Sequence, residues 1–132
     1  MPTHGEGQPT DPVQARLAEV APLAEAVRAA LQAQVDRLGF PGGSVTVGDP
    51  AEAGYRLELD PASGDYGLLG EWRDPRGQKL GTLVFHADGT FFVEYDVIRS
   101  HPRRPGWFVE AVNAWGRGDD IRAEPRLLPM VA

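Results

Sequence analysis

The longest regular pattern of apolar residues lies near the N-terminus and predicts a helix. Asp11 or Thr10 supplies an N-cap, Pro12 suits the first turn and Gly39 gives a stop. Pro22 lacks the amide that bonds back one turn, so we expect a kink there, or two helices. Apolar side chains recur at steps of three and four residues, the spacing of one helix face: Val13, Leu17, Val20, Ala24, Val27, Leu31 and Leu38.

The segment 81–97 predicts a β-hairpin with Asp88-Gly89 at its turn, because Gly accepts positive φ and Asp bonds the local backbone. A two-residue loop would place Leu83 and Phe85 on a face shared with two acids. A three-residue loop ending in Gly89 as a left-handed bulge keeps the apolar residues together, so we predict that register. The predicted pairs are Phe85 with Phe91, Leu83 with Val93 and Gly81 with Tyr95.

This register gives the hairpin two chemically different faces. The apolar face carries Leu83, Phe85, Phe91, Val93, Tyr95 and Val97. The other, here called the mixed face, carries His86, Thr82, Thr90, Glu94 and Asp96 together with Leu80, Val84 and Phe92. Alternation of this kind is typical of an antiparallel sheet with one face on the core.

A further strand precedes the hairpin, because Asp74-Pro75-Arg76-Gly77 has the residues that a tight turn prefers. The turn makes 67–74 antiparallel to 78–86. In this register Trp72 lies opposite Leu80 and adds bulk to the mixed face, so both faces of the sheet need cover.

The remaining elements complete a predicted α+β domain. Short strands fit 44–47 and 55–59, and 121–128 fits a terminal edge strand. The aromatic segment 107–115 fits a short helix that covers the core. We therefore predict a long N-terminal helix, an antiparallel meander of four or five strands, a short C-terminal helix and a terminal extended strand. Residues 1–10, rich in Gly, Pro and polar side chains, are expected to form a disordered tail before a single domain, 11–132.

Composition narrows the functional classes. The 132 residues include no cysteine, which excludes thiolate metal sites and thiol nucleophiles and favours the cytoplasm. No apolar run is long enough to cross a membrane. The net charge of −6, all of it in the first 65 residues, argues against nucleic-acid binding and favours a basic partner.

Two acids on one strand are the first candidate site. Glu94 and Asp96 share a face, roughly 6 to 7 Å apart along the strand. Carboxylates so placed could serve a small-molecule or enzymatic pocket on the mixed face, with His86 and Trp72 as lining. The three histidines, His4, His86 and His101, are too scattered to predict a metal site, and no motif implies a cofactor.

Charged residues also suggest two binding surfaces. The acids Glu19, Glu25 and Asp36 on the predicted helix, with Glu94 and Asp96 on the mixed face, are candidates for contact with a basic protein. A basic segment is the counterpart, a candidate site for an anion: Arg99, His101, Arg103 and Arg104.

The segment TLVFHADGTFFVEYDV, 82–97, after strands and a long helix in a small acidic chain, resembles the YezG-type immunity-protein family. The resemblance implies a non-enzymatic α+β protein that neutralises a co-encoded toxin. It carries no functional residues across. The sequence thus predicts a protein-binding module, with a small-molecule binder or small enzyme and a structural homodimer as alternatives.

Overall fold

The computed structural model describes residues 11–130, which form one helix on one six-stranded sheet. The helix α1 is Pro12–Leu38, and a single 3₁₀ turn follows at Pro50–Glu52. The strands are β1 (Gly54–Leu59), β2 (Tyr66–Arg73), β3 (Lys79–Phe85), β4 (Thr90–Ser100), β5 (Trp107–Arg117) and β6 (Asp120–Pro129). They pair in chain order and are all antiparallel. The α+β class is confirmed, with six strands in place of the predicted four or five.

The boundaries of α1 follow from its caps. Asp11 accepts a hydrogen bond from the amide of Val13 at 3.0 Å, and Gly39, at φ 101°, donates to the carbonyl of Asp36. The helix is continuous through Pro22, which lies on its exposed side. Water can reach that side, so the carbonyl that Pro22 leaves unbonded need not break the helix.

The core lies between α1 and one face of the sheet. The helix buries one side chain on nearly every turn, as its apolar spacing predicts: Val20, Ala24, Val27, Leu31, Val35 and Leu38. The sheet contributes a facing set, here called the covered face, from its four central strands: Leu68, Trp72, Leu83, Phe85, Phe91, Val93, Val109, Val112 and Ala114. The opposite face has no helix over it in the described part of the chain, and we call it the open face.

The central hairpin confirms the predicted register. Phe85 pairs with Phe91, and the ladder continues through Leu83–Val93 to Gly81–Tyr95. Gly89 has φ 90° at the turn, as a left-handed bulge requires.

The predicted position of Trp72 is wrong. Arg73 does pair with Lys79, as the turn dictates, but Trp72 then pairs with Gly81 because Leu80 is an extra, bulged residue. A bulge of one residue reverses the faces of everything beyond it. Trp72 therefore points into the core, where it is 4 % exposed.

The predicted C-terminal helix is also wrong, because 107–117 forms strand β5, which lies between β4 and β6 in the sheet. A bulge at Glu110 lies between the pairs Val109–Leu127 and Ala111–Arg126. It brings Val109 and Val112, three residues apart, to the same buried face, which imitates helical spacing. The predicted terminal strand is confirmed as β6, at the sheet edge.

The predicted strand at 44–47 is wrong, because this segment is a loop. Its backbone bonds to a helix side chain in place of a neighbouring strand. Gln32 accepts from the amide of Val47 at 2.8 Å and donates to the carbonyl of Val45 at 3.1 Å. Both valines are buried in the core. The prediction of a disordered tail at 1–10 lies outside the described residues. Within 11–130, no helix has the length and apolar character that a membrane span requires.

Candidate functional site

The open face carries an apolar row that crosses the middle of the sheet. Leu69, Val84, Phe92 and Trp115 lie directly opposite one another on β2, β3, β4 and β5. Phe92 is 38 % exposed, and the other three are half-buried. Strands are about 4.8 Å apart, so side chains in such a row touch and form one continuous apolar surface. We call these four residues the apolar row.

Charged side chains border the apolar row. Arg56 on β1 and Arg122 on β6 lie at its two ends. The next row along the strands is polar and mainly acidic: Glu71, Thr82, Glu94, Asn113 and Glu124. An apolar centre with a charged border is the usual organisation of a protein–protein interface.

A depression of about 280 Å³ opens on this face beside the row, lined by side chains of β4, β5 and β6. We call it the acidic depression. Its charged members are Glu94, Asp96, Glu110 and Arg126, and its apolar members are Ile98, Phe108 and Ala111. Arg126 forms ion pairs with Glu94 at 2.9 Å and with Glu110 at 3.3 Å. One cation thus faces three carboxylates.

Asn113 is a buried side chain that positions the ion pair of Glu94 and Arg126. It is 8 % exposed, the one buried polar side chain within residues 11–130. With its amide oriented to satisfy its neighbours, the nitrogen donates to Glu94 at 3.1 Å and to the carbonyl of Val112 at 3.3 Å, while the oxygen accepts from Arg126 at 3.3 Å. A buried amide with partners on both sides holds the Glu94–Arg126 pair in one geometry.

Asp96 is the carboxylate with an unusual electrostatic environment. Partial burial raises its pKa, and the charges of Glu94 and Glu110 raise it further, against opposing effects of Lys79 and Arg126. Among residues 11–130 it has no ion-pair partner within 4.0 Å. Burial and like charge thus outweigh the nearby cations at Asp96, and an additional cation beside it would favour its charged form.

The four residues of the predicted pocket do not come together. Glu94 and Asp96 share the depression, but Trp72 lies on the covered face. His86 lies at the hairpin turn, in a separate depression of about 320 Å³ with Asp60, Asp65 and Asp88. Within 11–130 no group of three or more His, Asp or Glu side chains has the arrangement to hold a metal ion.

The acids of α1 lie on the opposite side of the molecule from the open face, and each has a local partner. Glu19 pairs with Arg16 at 3.1 Å, and Asp36 accepts from Gln32 at 3.1 Å. Glu25 bonds to Arg28, which lowers the pKa of that carboxyl. A single flat partner surface therefore cannot contact both the helix acids and the sheet acids.

The basic segment between β4 and β5 makes several structural contacts. The Nδ1 of His101 accepts from the amides of Arg103 at 3.0 Å and Arg104 at 3.1 Å. The guanidinium of Arg104 lies 4.8 Å from the ring centroid of Trp107, and Arg103 packs over Gly39 at the C-terminus of α1, where a positive charge is favourable. Arg99 is exposed on β4. Anion binding at this segment stays a prediction.

Three polar residues of this arrangement are not among the predicted site residues: Glu110 and Arg126, which line the depression, and Asn113, which bonds to Glu94 and Arg126. They join Glu94 only through the pairing of β4 with β5 and of β5 with β6. One signal in the sequence could have found them, since Asn113 interrupts an otherwise apolar run from Ala111 to Trp115. An amide in such a run calls for a buried polar partner.

No protein-family model, curated protein or solved structure matches this chain. The geometry of the open face is therefore the basis on which a function is proposed.

Proposed function

We propose that the protein is a non-enzymatic protein-binding module and that the open face of its sheet is the recognition surface. The observation that carries the proposal is the apolar row. Leu69, Val84, Phe92 and Trp115 form a continuous apolar surface across four strands, and no element within 11–130 covers it. Contiguous exposed apolar surface of this kind favours an interaction site.

The charges beside the row favour a basic partner. The acidic depression has three carboxylates and one guanidinium, and Asp96 has no ion pair in the described chain. A partner with a positive surface would gain in encounter rate and specificity, while the apolar row would supply most of the affinity. An immunity or antitoxin-like inhibitor of a basic toxin is the specific form of this proposal, and it rests on the resemblance of 82–97 to the YezG-type family. A cytoplasmic location is part of it.

The shape of the open face argues for a macromolecule over a small ligand. Its depressions, of about 260 to 320 Å³, are at or below the lower limit of the usual range of small-molecule pockets, roughly 300 to 1,000 Å³. The apolar row is a strip that crosses four neighbouring strands. Such surfaces bind extended or folded protein segments more readily than compact metabolites.

Site-specific photo-crosslinking in extract of the source cells tests the proposal. A photoreactive phenylalanine analogue replaces Phe92 on the open face, and a matched variant carries it in place of Ala29, which is exposed on α1. We expect a protein adduct from position 92 and none from position 29. The captured protein is then purified and its Kd for the unmodified chain measured at low and high salt.

Two further results are required. Phe92→Ala should raise the Kd of the purified partner about tenfold or more, and salt should weaken the complex. Equal adducts from both positions, no adduct from position 92, or a Kd unaffected by Phe92→Ala would each contradict the proposal. An adduct of twice the chain mass from position 92 would instead identify a homodimer.

A further inference from the structure

The open face has a second exposed apolar patch, at the end of the sheet next to the acidic depression. Ile98 is 63 % exposed and Leu128 is 42 % exposed, and Phe108 lies between them, paired with Leu128. Ile98 and Phe108 also line the acidic depression. This site therefore combines apolar walls with carboxylates.

We propose that a lysine or arginine side chain of the protein partner docks here, with its aliphatic stem against Ile98 and Phe108 and its charge beside Asp96. The inference rests on the proposed function and names the contact that the partner makes. Long basic side chains lay their methylene groups along apolar surface and keep the charged end in a polar environment. The apolar wall of Ile98 and Phe108 matches the methylene stem of such a side chain, and the carboxylate of Asp96 matches its charged end.

Charge complementarity selects a cation as the occupant. Arg126 bridges Glu94 and Glu110, which leaves Asp96 without an ion pair in the described chain. An incoming ammonium or guanidinium group would supply the missing partner. A carboxylate from a partner would instead meet three carboxylates and one guanidinium that is already paired with two of them.

Continuity with the apolar row places this contact within the proposed interface. Phe92, Glu94 and Asp96 alternate along the same face of β4, so the row and the depression are neighbours on one strand. Asp96 lies four residues from Phe92, roughly 13 Å along the strand, so an extended partner segment that covers Phe92 and follows β4 also reaches Asp96. One interface can therefore use both.

The backbone of Ile98 is consistent with a role in contact. It has φ 51°, the one non-glycine residue within 11–130 with positive φ, and it lies in the bulge between Asp96 and Arg99. A β-branched residue rarely adopts this conformation, and such outliers cluster at functional positions. Here the bulge directs an exposed apolar side chain next to Asp96.

Titration with an arginine derivative tests the inference on the full chain. The probe is N-acetyl-arginine methylamide, and its binding is measured from the amide chemical shifts of the isotope-labelled protein. N-acetyl-citrulline methylamide, which has nearly the same shape but no charge, is the control. We expect saturable millimolar binding of the arginine probe, with the largest shifts at Asp96, Ile98 and Glu110. Asp96→Asn should raise its Kd at least threefold, whereas Asp36→Asn, on the opposite side, should leave the Kd unchanged.

Equal shifts with both probes, largest shifts elsewhere, or equal effects of Asp96→Asn and Asp36→Asn would overturn the inference. Its failure is distinguishable from failure of the proposed function. If the partner crosslinks selectively through position 92 but neither its Kd nor that of the arginine probe responds to Asp96→Asn, the open face binds a partner without a basic side chain in the depression. If position 92 gives no selective adduct, the proposed function itself fails.

Discussion

The indole ring of Trp72 meets the phenol ring of Tyr95 edge-on, with ring centroids 5.1 Å apart and ring planes at 82°. The two residues lie on β2 and β4, which do not pair. Between them on β3 is Gly81, the register partner of both. Because Gly81 has no side chain, the rings close over its backbone. The indole nitrogen then donates to the carbonyl of Asp49 at 2.9 Å, which ties the loop before β1 to the core.

Gly81→Ala should therefore destabilise the fold. A Cβ at this position would lie 2.9 Å from Trp72 Cε3 and would overlap the carbonyl oxygen of Glu94, which is backbone and cannot move away. Overpacking of this kind costs about 1–3 kcal/mol, and we expect the upper end in urea unfolding. Gly54→Ala is the matched strand control, since its nearest neighbour would be 4.0 Å away. Equal unfolding midpoints for the two variants would refute the explanation.

Gln32 supplies the second prediction. Its side chain bonds both Val45 and Val47, and Val47 is 2 % exposed, so Gln32→Ala leaves a buried amide without a partner. The expected loss is about 1–3 kcal/mol in the free energy of unfolding. Gln14→Ala, at an exposed position of the same helix, should change it by less than about 0.5 kcal/mol. Losses of the same size in both variants would show that the two hydrogen bonds contribute nothing measurable.

The sequence predicts the central hairpin to the residue, and the reason is local. Asp88-Gly89 restricts the loop to two lengths, and the alternation of apolar side chains on both strands permits one of them. The caps of α1 are equally local, since Asp11, Pro12 and Gly39 each act within one turn. Elements of this kind need no knowledge of the tertiary fold.

Two β-bulges explain why the predicted position of Trp72 and the predicted C-terminal helix are wrong. An extra residue at Leu80 moves Trp72 to the covered face, and an extra residue at Glu110 gives β5 an apolar spacing that resembles a helix. Glu110 has no residue beside it that marks a bulge, and Gly81, beside Leu80, permits a bulge but does not specify one. Whether a bulge forms depends on how the neighbouring strands pack, which is tertiary information.

The residues of the candidate site also fall into two groups, those that the sequence predicts and those that only strand pairing brings together. Glu94 and Asp96 were predictable because alternation along β4 is visible in the sequence. Glu110 and Arg126 are 14 or more residues further along the chain and join them only through strand pairing. The open face itself depends on α1 covering one side of the sheet alone, and helix packing leaves no local signal.

Ile98→Asn should stabilise the fold while weakening the proposed contact. Asn tolerates the left-handed conformation better than a β-branched residue, for which the strain is about 1–2 kcal/mol. Ile98 is 63 % exposed, so little apolar burial is lost. We expect a gain of about 1 kcal/mol in urea unfolding, together with a weaker affinity for the arginine probe.

The control for Ile98 is its neighbour on the same strand. Arg99 is exposed and has ordinary φ, so Arg99→Asn should leave stability within about 0.5 kcal/mol of the parent. If Ile98→Asn is less stable than Arg99→Asn, the left-handed backbone is not a source of strain.

Tyr55 makes the free energy of unfolding depend on pH in the alkaline range. Its hydroxyl donates to the carbonyl of Pro50 at 2.7 Å, and burial, with a smaller effect of the Asp49 charge, raises its pKa to about 12. In the unfolded chain a tyrosine titrates near pH 10. Between about pH 10 and pH 12 the unfolded state therefore loses the proton that the folded state keeps, so stability is unaffected below pH 10 and falls as pH rises through this window.

Tyr55→Phe tests this linkage, because it removes the ionisable group and keeps the ring. At pH 7 the variant should lose about 1 kcal/mol with the hydrogen bond to Pro50, but its stability should fall less steeply than the parent's above pH 10. Burial also raises the pKa of Tyr95, so a shallower slope is expected to persist in the variant. Tyr66→Phe is the control, since Tyr66 is 56 % exposed. If urea midpoints of the parent and Tyr55→Phe decline in parallel above pH 10, Tyr55 does not keep its proton because of the fold.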